Sequence, residues 1–214
     1  MKYYPVVLDL AGRVCLVAGG GAVAERKVRA LLDAGAEVTV VSPSLTAGLR
    51  DRAAAGTLVH RSKLLEERDL EGAFLVIAAT DDDAVNDNIA GHCRKRGVLV
   101  NVATSPAASS FLVPSVVERG DLLIAVSTSG ASPALARQVR MRLEREFGPE
   151  YAALLEALAR LRQRLPASVA DEATRRGIYE AVVDSDALVL LQNGDHAGAE
   201  RTIQSIVERM ARKE

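Results

Sequence analysis

A glycine triplet between an apolar run and a helical pattern limits the fold of this chain more than any other feature. Residues Val14–Ala18 form a short run rich in apolar and β-branched side chains, and Gly19-Gly20-Gly21 follows directly. Apolar residues then recur at helical spacing over Val23–Ala34. The pattern predicts a buried strand, a tight glycine turn and an amphipathic helix, in that order.

Small residues are spaced within this turn as they are in loops that bind a dinucleotide. Gly19, Gly21 and Ala24 fit the pattern Gly-x-Gly-x-x-Ala. The first glycine permits the tight turn, the second lets the backbone approach a diphosphate, and the small third residue lets the helix pack on the strand. The helix N-terminus attracts an anion through its free N–H groups and its dipole. A glycine turn without a ligand is the alternative, and the strand and helix around it favour a nucleotide site.

Apolar runs alternate with helical patterns through the first half of the chain, which is typical of an α/β fold with a parallel sheet. Because the runs are continuously apolar, we expect strands that are buried on both faces, as in a Rossmann-type doubly wound sheet. The predicted strands are Val14–Ala18, Glu37–Val41, Thr57–His60, Phe74–Ala79 and Leu99–Val102. The predicted helices between them are Val23–Ala34, Leu45–Ala55 and Ala84–Arg96.

The pattern changes after Asn101. Two apolar runs, Phe111–Arg119 and Leu122–Val126, predict an antiparallel hairpin appended to the parallel sheet. Ser132-Pro133 is typical of a helix start, and the helix should run to about Phe147. From residue 149 onward the chain predicts about three helices, with breaks at Pro166 and around Asn193-Gly194.

Composition excludes several classes of partner. The 27 Lys and Arg residues nearly balance the 28 Asp and Glu residues, so no long-range field favours nucleic acid or an anionic membrane. Residues Met1–Leu10 lack the pattern of a signal peptide, and no apolar run reaches membrane-spanning length, which predicts a cytoplasmic protein. Cys15 and Cys93 lie far apart and His60, His92 and His196 are scattered, so we expect no disulfide and no metal site.

The end of the second predicted strand bears on the choice of cofactor. An acidic residue usually binds the ribose hydroxyls of NAD at this place, but the strand ends in Ser42-Pro43-Ser44. Ser42 or Ser44 could bind the ribose instead, and no adjacent arginine favours the 2′-phosphate of NADP, so NAD is expected. Asn101 ends the fifth predicted strand, where ligands bind in such sheets. The run Asp81–Asp83 is interpreted as helix capping rather than catalysis.

Taken together, these motifs resemble the precorrin-2 dehydrogenase/sirohydrochlorin ferrochelatase family, which includes the N-terminal module of bifunctional sirohaem synthase. They occur in family order over about residues 1–150, and the tail after about Tyr151 is similar only as a helical region. The matching segments are Pro5 with Leu8–Leu10, Gly19–Lys27, Ala78–Asn86, Val100–Val102, Ser110–Pro114 and Ser127–Arg137.

The resemblance implies a Rossmann domain over residues 1–113, a dimerisation region over 114–148, a small helical domain over 149–214 and an intertwined homodimer. It implies hydride transfer from precorrin-2 to NAD, which gives sirohydrochlorin, and in some members the insertion of ferrous iron. It also implies the residues that contact the cofactor, besides Gly19 and Gly21. These are Ala22 and Val23 at the diphosphate, Pro43 and Ser44 on the adenosine side, and Thr80 and Asn101 at the nicotinamide half.

One position departs from the family pattern. Thr104 stands where the family usually has an aspartate implicated in dehydrogenation and chelation. A threonine hydroxyl is too weak a base to replace a carboxylate, and general acid–base help typically supplies about 10²–10⁴-fold in rate. We therefore expect slower dehydrogenation and little or no chelatase activity, and we expect Thr104→Asp to raise the dehydrogenation rate.

A tetrapyrrole with many carboxylates needs a local basic surface on a nearly neutral protein. The residues predicted to bind this substrate follow the hairpin or begin the next helix. They are Arg119, Ser127, Thr128, Ser129, Arg137 and Arg140. A capped helix with solvated arginines is the alternative reading of this segment.

The glycine loop is also compatible with two other functions. A non-catalytic NAD-sensing Rossmann module would keep the glycine loop, but it has no need of a second anion-binding helix start such as Ser127–Arg137. An oxidoreductase for a small metabolite should show a Ser/Tyr-x-x-x-Lys or a His–carboxylate arrangement, and none is apparent.

Overall fold

The computed structural model describes residues 3–212, and the chain divides into two compact units, Met1–Val113 and Pro114–Glu214. The first unit contains a five-stranded parallel sheet of order β3-β2-β1-β4-β5. Its strands are β1 (Val14–Ala18), β2 (Glu37–Val41), β3 (Val59–Arg61), β4 (Leu75–Ala78) and β5 (Leu99–Val102). Its helices are α1 (Ala22–Asp33), α2 (Ala47–Ala54) and α3 (Asp83–Arg96), and a single 3-10 turn covers Glu67–Leu70.

Successive residues of β1 enter two different cores, one on each face of the sheet. Cys15 and Val17 pack with α1 and α2, whereas Leu16 and Ala18 pack with α3. Side chains alternate across a strand, so a run that is apolar at every position is buried on both sides. The predicted Rossmann-type, doubly wound sheet is therefore confirmed.

The strand order places a natural ligand crevice at one edge of this sheet. β1 lies between β2 and β4, and the chain leaves these strands toward opposite sides of the sheet. Ligands of open α/β sheets bind at such a switch point, beyond the carboxyl ends of the strands. The glycine loop follows β1 at this edge, where the Gly19 N–H donates to the Val41 carbonyl at 3.1 Å.

The second unit is a hairpin followed by five helices. The hairpin strands are β6 (Ser115–Arg119) and β7 (Leu122–Val126), and α4 packs on them. The helices are α4 (Pro133–Glu146), α5 (Glu150–Ser168), α6 (Glu172–Val183), α7 (Ala187–Gln192) and α8 (His196–Ala211). The last four enclose one apolar core, which includes Leu161, Leu165, Ile178, Val182 and Ile203.

Several predicted elements need correction. The hairpin forms a separate two-stranded sheet rather than joining the parallel one, and its first strand begins at Ser115 because Phe111 is held beside β5. Helix α5 passes through Pro166 and ends at Ser168, so residue 149 onward contains four helices, not three. Proline there removes one hydrogen bond in the last turn, while Leu161 and Leu165 stay buried in the core. The break at Gly194 is confirmed, since this residue adopts φ 78° after α7.

Candidate functional site

The three glycines of the loop differ in what a side chain would meet at each position. Gly19 has φ 112°, and a Cβ there would collide with the carbonyl oxygen of Ala79. A Cβ on Gly20 would collide with the carbonyl oxygen of Ser44. Gly21 meets no atom within 4 Å of an added Cβ, so space is open beside it. The first two glycines let three chain segments meet closely, and the third leaves room where a diphosphate would approach the backbone.

The N-terminus of α1 has the features of an anion site. Gly21 is the N-cap residue and provides no side-chain cap. The first helical hydrogen bond runs from the Glu25 N–H to the Gly21 carbonyl at 3.0 Å. The N–H groups of Ala22 and Val23 therefore have no partner within the helix, and both residues are exposed. These two N–H groups and the helix dipole fit a diphosphate.

A cavity of about 430 Å³ opens beside this helix start. Its walls come from five segments at the carboxyl edge of the sheet. They are the glycine loop, residues 41–46 after β2, Leu64 and Leu65 after β3, residues 79–81 after β4, and two residues of α3, Val85 and Ile89. Apolar walls with backbone donors at one end are what a dinucleotide requires.

Ser44 carries the hydroxyl that is available to a ligand on the β2 side of the cavity. Ser42 is buried, and its hydroxyl donates to the Ser44 carbonyl at 2.8 Å. Pro43 and Ser44 are exposed and line the cavity. The hydroxyl of Thr46 is engaged as well, because it donates to Glu25 Oε2 at 2.6 Å. Of Ser42 and Ser44, only Ser44 thus presents an exposed hydroxyl at the cavity.

A buried asparagine holds the turn after β4. Asn86 is fully buried, and its side-chain oxygen accepts from both the Thr80 hydroxyl, at 2.8 Å, and the Thr80 N–H, at 3.1 Å. Its Nδ2 donates back to the Thr80 carbonyl at 3.0 Å. Thr80 lines the cavity as expected, but its hydroxyl is committed to Asn86. Asn86 is not among the site residues predicted from the sequence. A polar residue three positions before Ile89, on the apolar face of α3, could have indicated it.

The side chain of Asn101 has a structural partner. Asn101 is 6% exposed, and its Nδ2 donates to the Phe111 carbonyl at 3.1 Å. It is not among the residues that line the cavity. The hydrogen bond of Asn101 secures the segment that leaves β5, and its role at the nicotinamide half stays a prediction.

A carboxylate contacts Thr104. The Thr104 hydroxyl donates to Asp83 Oδ1 at 2.8 Å, and both residues are exposed. Asp83 begins α3 directly after β4, whereas Thr104 follows β5. Its neighbour Asp82 caps α3 by accepting the N–H groups of Ala84 and Val85, which confirms capping for that residue. From the sequence, Asp83 belongs to a run interpreted as helix capping rather than catalysis. Its contact with Thr104 makes it a functional candidate, since adjacent parallel strands bring their carboxyl ends together.

Two of the three predicted substrate arginines have partners within the second unit. The Arg119 guanidinium donates to the carbonyls of Glu118, Glu144 and Phe147 at 2.8–2.9 Å, so it closes the C-terminal end of α4. Arg140 pairs with Glu144 at 2.7 Å. Arg137 is exposed in the second turn of α4 and has no polar partner within residues 3–212.

The loop before α4 is ordered by its own hydroxyls. The Thr128 hydroxyl accepts from the Ser132 N–H and donates to the Ser132 carbonyl, both at 3.0 Å. The Ser127 hydroxyl accepts from the Ser129 N–H at 3.2 Å, and Ser129 adopts φ 55°. Ser132 caps α4 as predicted, by accepting from the Leu135 N–H. These contacts hold the loop in one conformation at the start of a helix.

No helix within residues 3–212 is long and apolar enough to cross a membrane. In the same part of the chain, no group of three or more His, Cys, Asp or Glu residues could hold a metal ion. Both cysteines are buried, and burial raises the pKa of each thiol to about 11.

Comparison with protein families matches three successive segments of the chain. Residues 6–115 match a family described as putative NAD(P)-binding. Residues 119–146 match the central region of sirohaem biosynthesis proteins, and residues 150–207 match the sirohaem synthase dimerisation region. Fold, glycine loop and family together define the first unit as a Rossmann-type NAD(P)-binding domain, which confirms the expected nicotinamide cofactor.

Relatives and solved structures give the same assignment. The chain is 40% identical to the sirohaem synthase of Methylococcus capsulatus over 100% of its own length, and 38% identical to that of Nitrosococcus oceani over 97%. It spans 45% and 44% of those proteins. The structure of SirC, a precorrin-2 dehydrogenase, is 30% identical, with a TM-score of 0.79, covering 95% of this chain and 100% of that one. The chain therefore belongs to the family of precorrin-2 dehydrogenases and sirohaem synthases.

Proposed function

We propose that this chain oxidises precorrin-2 to sirohydrochlorin and that NAD is the electron acceptor. The observation that carries the proposal is the uncapped start of α1, whose free N–H groups of Ala22 and Val23 adjoin an open cavity at the switch point of the sheet. The similarity to SirC over that protein's entire chain supports the substrate.

Bound NAD supplies the acceptor for the hydride that leaves the tetrapyrrole. The chain supplies binding and orientation. Gly19 and Gly21 let the backbone pass close to the diphosphate, and the N–H groups of Ala22 and Val23 bind it. Pro43 and Ser44 adjoin the adenosine ribose, with the Ser44 hydroxyl as its hydrogen-bond partner. Thr80, fixed by Asn86, forms the wall of the nicotinamide half.

Oxidation also removes a proton from the tetrapyrrole, and Asp83 is the group that we propose to accept it. Thr104 cannot act as a base, but its hydrogen bond at 2.8 Å orients the Asp83 carboxylate. The carboxylate that the family resemblance implies at position 104, two residues after β5, is thus proposed to come here from the start of α3. Hydride transfer and proton transfer together create one new double bond.

The substrate's carboxylates need cationic and N–H donors. In the second unit, Arg137 and the N-terminus of α4 are proposed to bind them, together with the hydroxyls of Ser127 and Ser129. The Thr128 hydroxyl leaves the proposed set because it donates to the Ser132 carbonyl. Arg119 is not proposed as a substrate ligand, because backbone carbonyls accept its N–H donors. Arg140 is proposed to contribute less than Arg137, because Glu144 neutralises its charge.

The chain is proposed to act as a homodimer through its second unit, which includes both the dimerisation region expected over 114–148 and the helical domain expected over 149–214. The match of residues 150–207 to a dimerisation region supports this assembly. Large apolar side chains of the second unit are exposed in the single chain, which is typical of a surface that a partner covers. They include Leu123, Leu135, Met141, Val183 and Val189. The cytoplasmic location expected from the sequence stays a prediction.

Iron insertion is proposed to be weak or absent. Chelation requires that two pyrrole protons leave as the metal enters, whereas dehydrogenation releases one, so a single base at Asp83 meets the need of dehydrogenation but not that of chelation. A non-catalytic NAD-sensing module is the second candidate, and the ordered anion-binding loop before α4 favours the enzyme. An anaerobic assay of NADH formation with precorrin-2 tests the proposal, because a sensor produces none.

A further inference from the structure

A buried carboxylate near the nucleotide cavity pairs with two cationic side chains. The side chain of Asp69 is 5% exposed, and its oxygens contact Lys63 Nζ at 2.8 Å and Arg61 Nη1 at 3.1 Å. Asp69 also accepts the N–H of Glu66 at 2.9 Å. Burial alone would raise the pKa of this carboxyl, but its hydrogen bonds and the charge of Lys63 outweigh burial and lower it. Asp69 is therefore ionised at neutral pH and keeps both cations.

This cluster lies beside the end of β2. Arg61 is the last residue of β3 and pairs in register with Val41. The N–H of Ser42 donates to the Arg61 carbonyl at 3.1 Å, so the two strand ends are directly connected. Leu64, the residue after Lys63, lines the cavity. Both cations thus belong to the segment next to the place where Rossmann domains bind the adenosine ribose.

The end of β2 is where such domains distinguish NAD from NADP. A carboxylate there binds the ribose hydroxyls of NAD, and an arginine nearby accommodates the 2′-phosphate of NADP. This chain has Ser42 and Ser44 instead of a carboxylate. Glu25 is already engaged by the Thr46 hydroxyl at 2.6 Å and lies 3.9 Å from Arg52. The end of β2 therefore carries neither a free carboxylate that would select NAD nor an arginine that would select NADP.

We propose that Asp69 is a specificity-determining residue, which makes the site prefer NAD by holding Arg61 and Lys63 away from a 2′-phosphate. The inference rests on the dinucleotide site proposed above but not on precorrin-2 as the substrate. The side chains of Arg61 and Lys63 are 47% and 31% exposed, so each can turn toward a ligand when its partner is removed. Lys63 keeps a second partner, Glu66 at 3.6 Å, so Arg61 should contribute more.

The direct test is to measure the affinities of NAD⁺ and NADP⁺ by calorimetry for the full chain and for Asp69→Asn. Asparagine keeps the shape and one acceptor for the Glu66 N–H but removes the charge. We expect NADP⁺ to bind about tenfold more tightly, the scale of one charge-assisted hydrogen bond to a partly exposed phosphate. The affinity for NAD⁺ should change less than about twofold, since NAD has no 2′-phosphate.

Glu67→Gln is the matched control. It removes the same charge from the same 3-10 turn, but Glu67 pairs with Arg96, at 3.2 Å, and not with Arg61 or Lys63. Its ratio of NAD⁺ to NADP⁺ affinity should equal that of the unmodified chain. Adding Arg61→Ala to Asp69→Asn should remove most of the gain in NADP⁺ affinity, which separates a freed arginine from a general change in charge.

Arg61→Ala alone decides the question even if Asp69→Asn does not fold, because Asp69 keeps Lys63 as its partner. Unchanged NADP⁺ affinity supports the inference, whereas a loss shows that Arg61 already binds the 2′-phosphate and overturns it. An unmoved affinity ratio in folded Asp69→Asn, with normal NAD⁺ binding, overturns this inference alone. If the unmodified chain binds neither nucleotide, the proposed dinucleotide site fails and the inference fails with it.

Discussion

The hydroxyl of Thr104 donates a 2.8 Å hydrogen bond to the carboxylate of Asp83. The two residues follow neighbouring strands, since β4 and β5 pair in parallel and their carboxyl ends meet at one edge of the sheet. Position 104 therefore retains a carboxylate within hydrogen-bond reach although its own side chain is a threonine. This contact is the basis for assigning proton transfer to Asp83.

Asp83→Asn should slow NAD-dependent oxidation of precorrin-2 by about 10²–10⁴-fold, the usual contribution of a general base. The amide still accepts a hydrogen bond from Thr104, so folding and NAD affinity should stay unchanged. Single-turnover rates and calorimetric titration measure both quantities. Asp87→Asn removes an exposed carboxylate from the same helix and should leave the rate unaltered.

Thr104→Asp tests whether the general base is at residue 83 or at residue 104. Alone it should change the rate less than about tenfold, because two adjacent carboxylates disfavour each other's ionised form. This expectation replaces the large increase predicted from the sequence alone. In the Asp83→Asn background the same change should restore most of the lost rate. A large increase from Thr104→Asp alone would instead mean that Asp83 does not accept the proton.

Gly21→Asp should abolish NAD binding without unfolding the chain. The space beside Gly21 is open, so the side chain fits, but its negative charge would meet the diphosphate. Calorimetry measures the affinity and circular dichroism the fold. Gly21→Ala is the matched variant without charge and should bind more weakly than the unmodified chain but measurably. Normal NAD affinity in folded Gly21→Asp would remove this loop from the cofactor site.

Asn86→Leu should lower the free energy of unfolding by about 2–4 kcal/mol, because the half-buried polar groups of Thr80 lose their buried partner. Chemical denaturation measures this change. Asn88→Leu changes an exposed position of the same helix and serves as the control. An equal small effect from both substitutions would show that Asn86 does not hold the turn after β4.

Sedimentation at micromolar concentration should give the mass of a homodimer. The exposed apolar side chains of the second unit, such as Leu135 and Met141, should then become protected. Leu135→Glu should shift the equilibrium toward the monomer, whereas Val59→Glu, at an exposed position of the first unit, should not. A monomer at this concentration would contradict the proposed assembly.

The sequence predicts most buried strands of the parallel sheet well and fails where packing decides. β1, β2 and β5 have the predicted bounds, because short apolar runs between turn signals specify buried strands. Pro166 was a wrong helix end, since a proline near a helix terminus costs little beside the burial of Leu165. No local pattern shows that a residue such as Phe111 is held by a different strand.

The candidate site shows the same division. The glycine loop can be predicted because the glycine spacing between a strand and a helix is a local pattern, although the atoms that exclude a Cβ at Gly19 and Gly20 belong to Ala79 and Ser44. Arg119 and Asn101 have the right chemistry for ligands, but their donors are used by carbonyls at Phe147 and Phe111, far away along the chain. The contact between Asp83 and Thr104 joins residues that are 21 positions apart. Such pairings depend on the folded chain and cannot be read from spacing.

The most direct test of the proposed function is anaerobic incubation of the unmodified chain with precorrin-2 and NAD⁺, followed by the absorbance of NADH and sirohydrochlorin. We predict stoichiometric formation of both products, no product with Gly21→Asp, and little iron insertion when ferrous iron is added. NAD binding without any NADH formation would contradict it and would identify a non-catalytic nucleotide-binding module. Efficient iron insertion would contradict the weak chelatase activity inferred from Thr104.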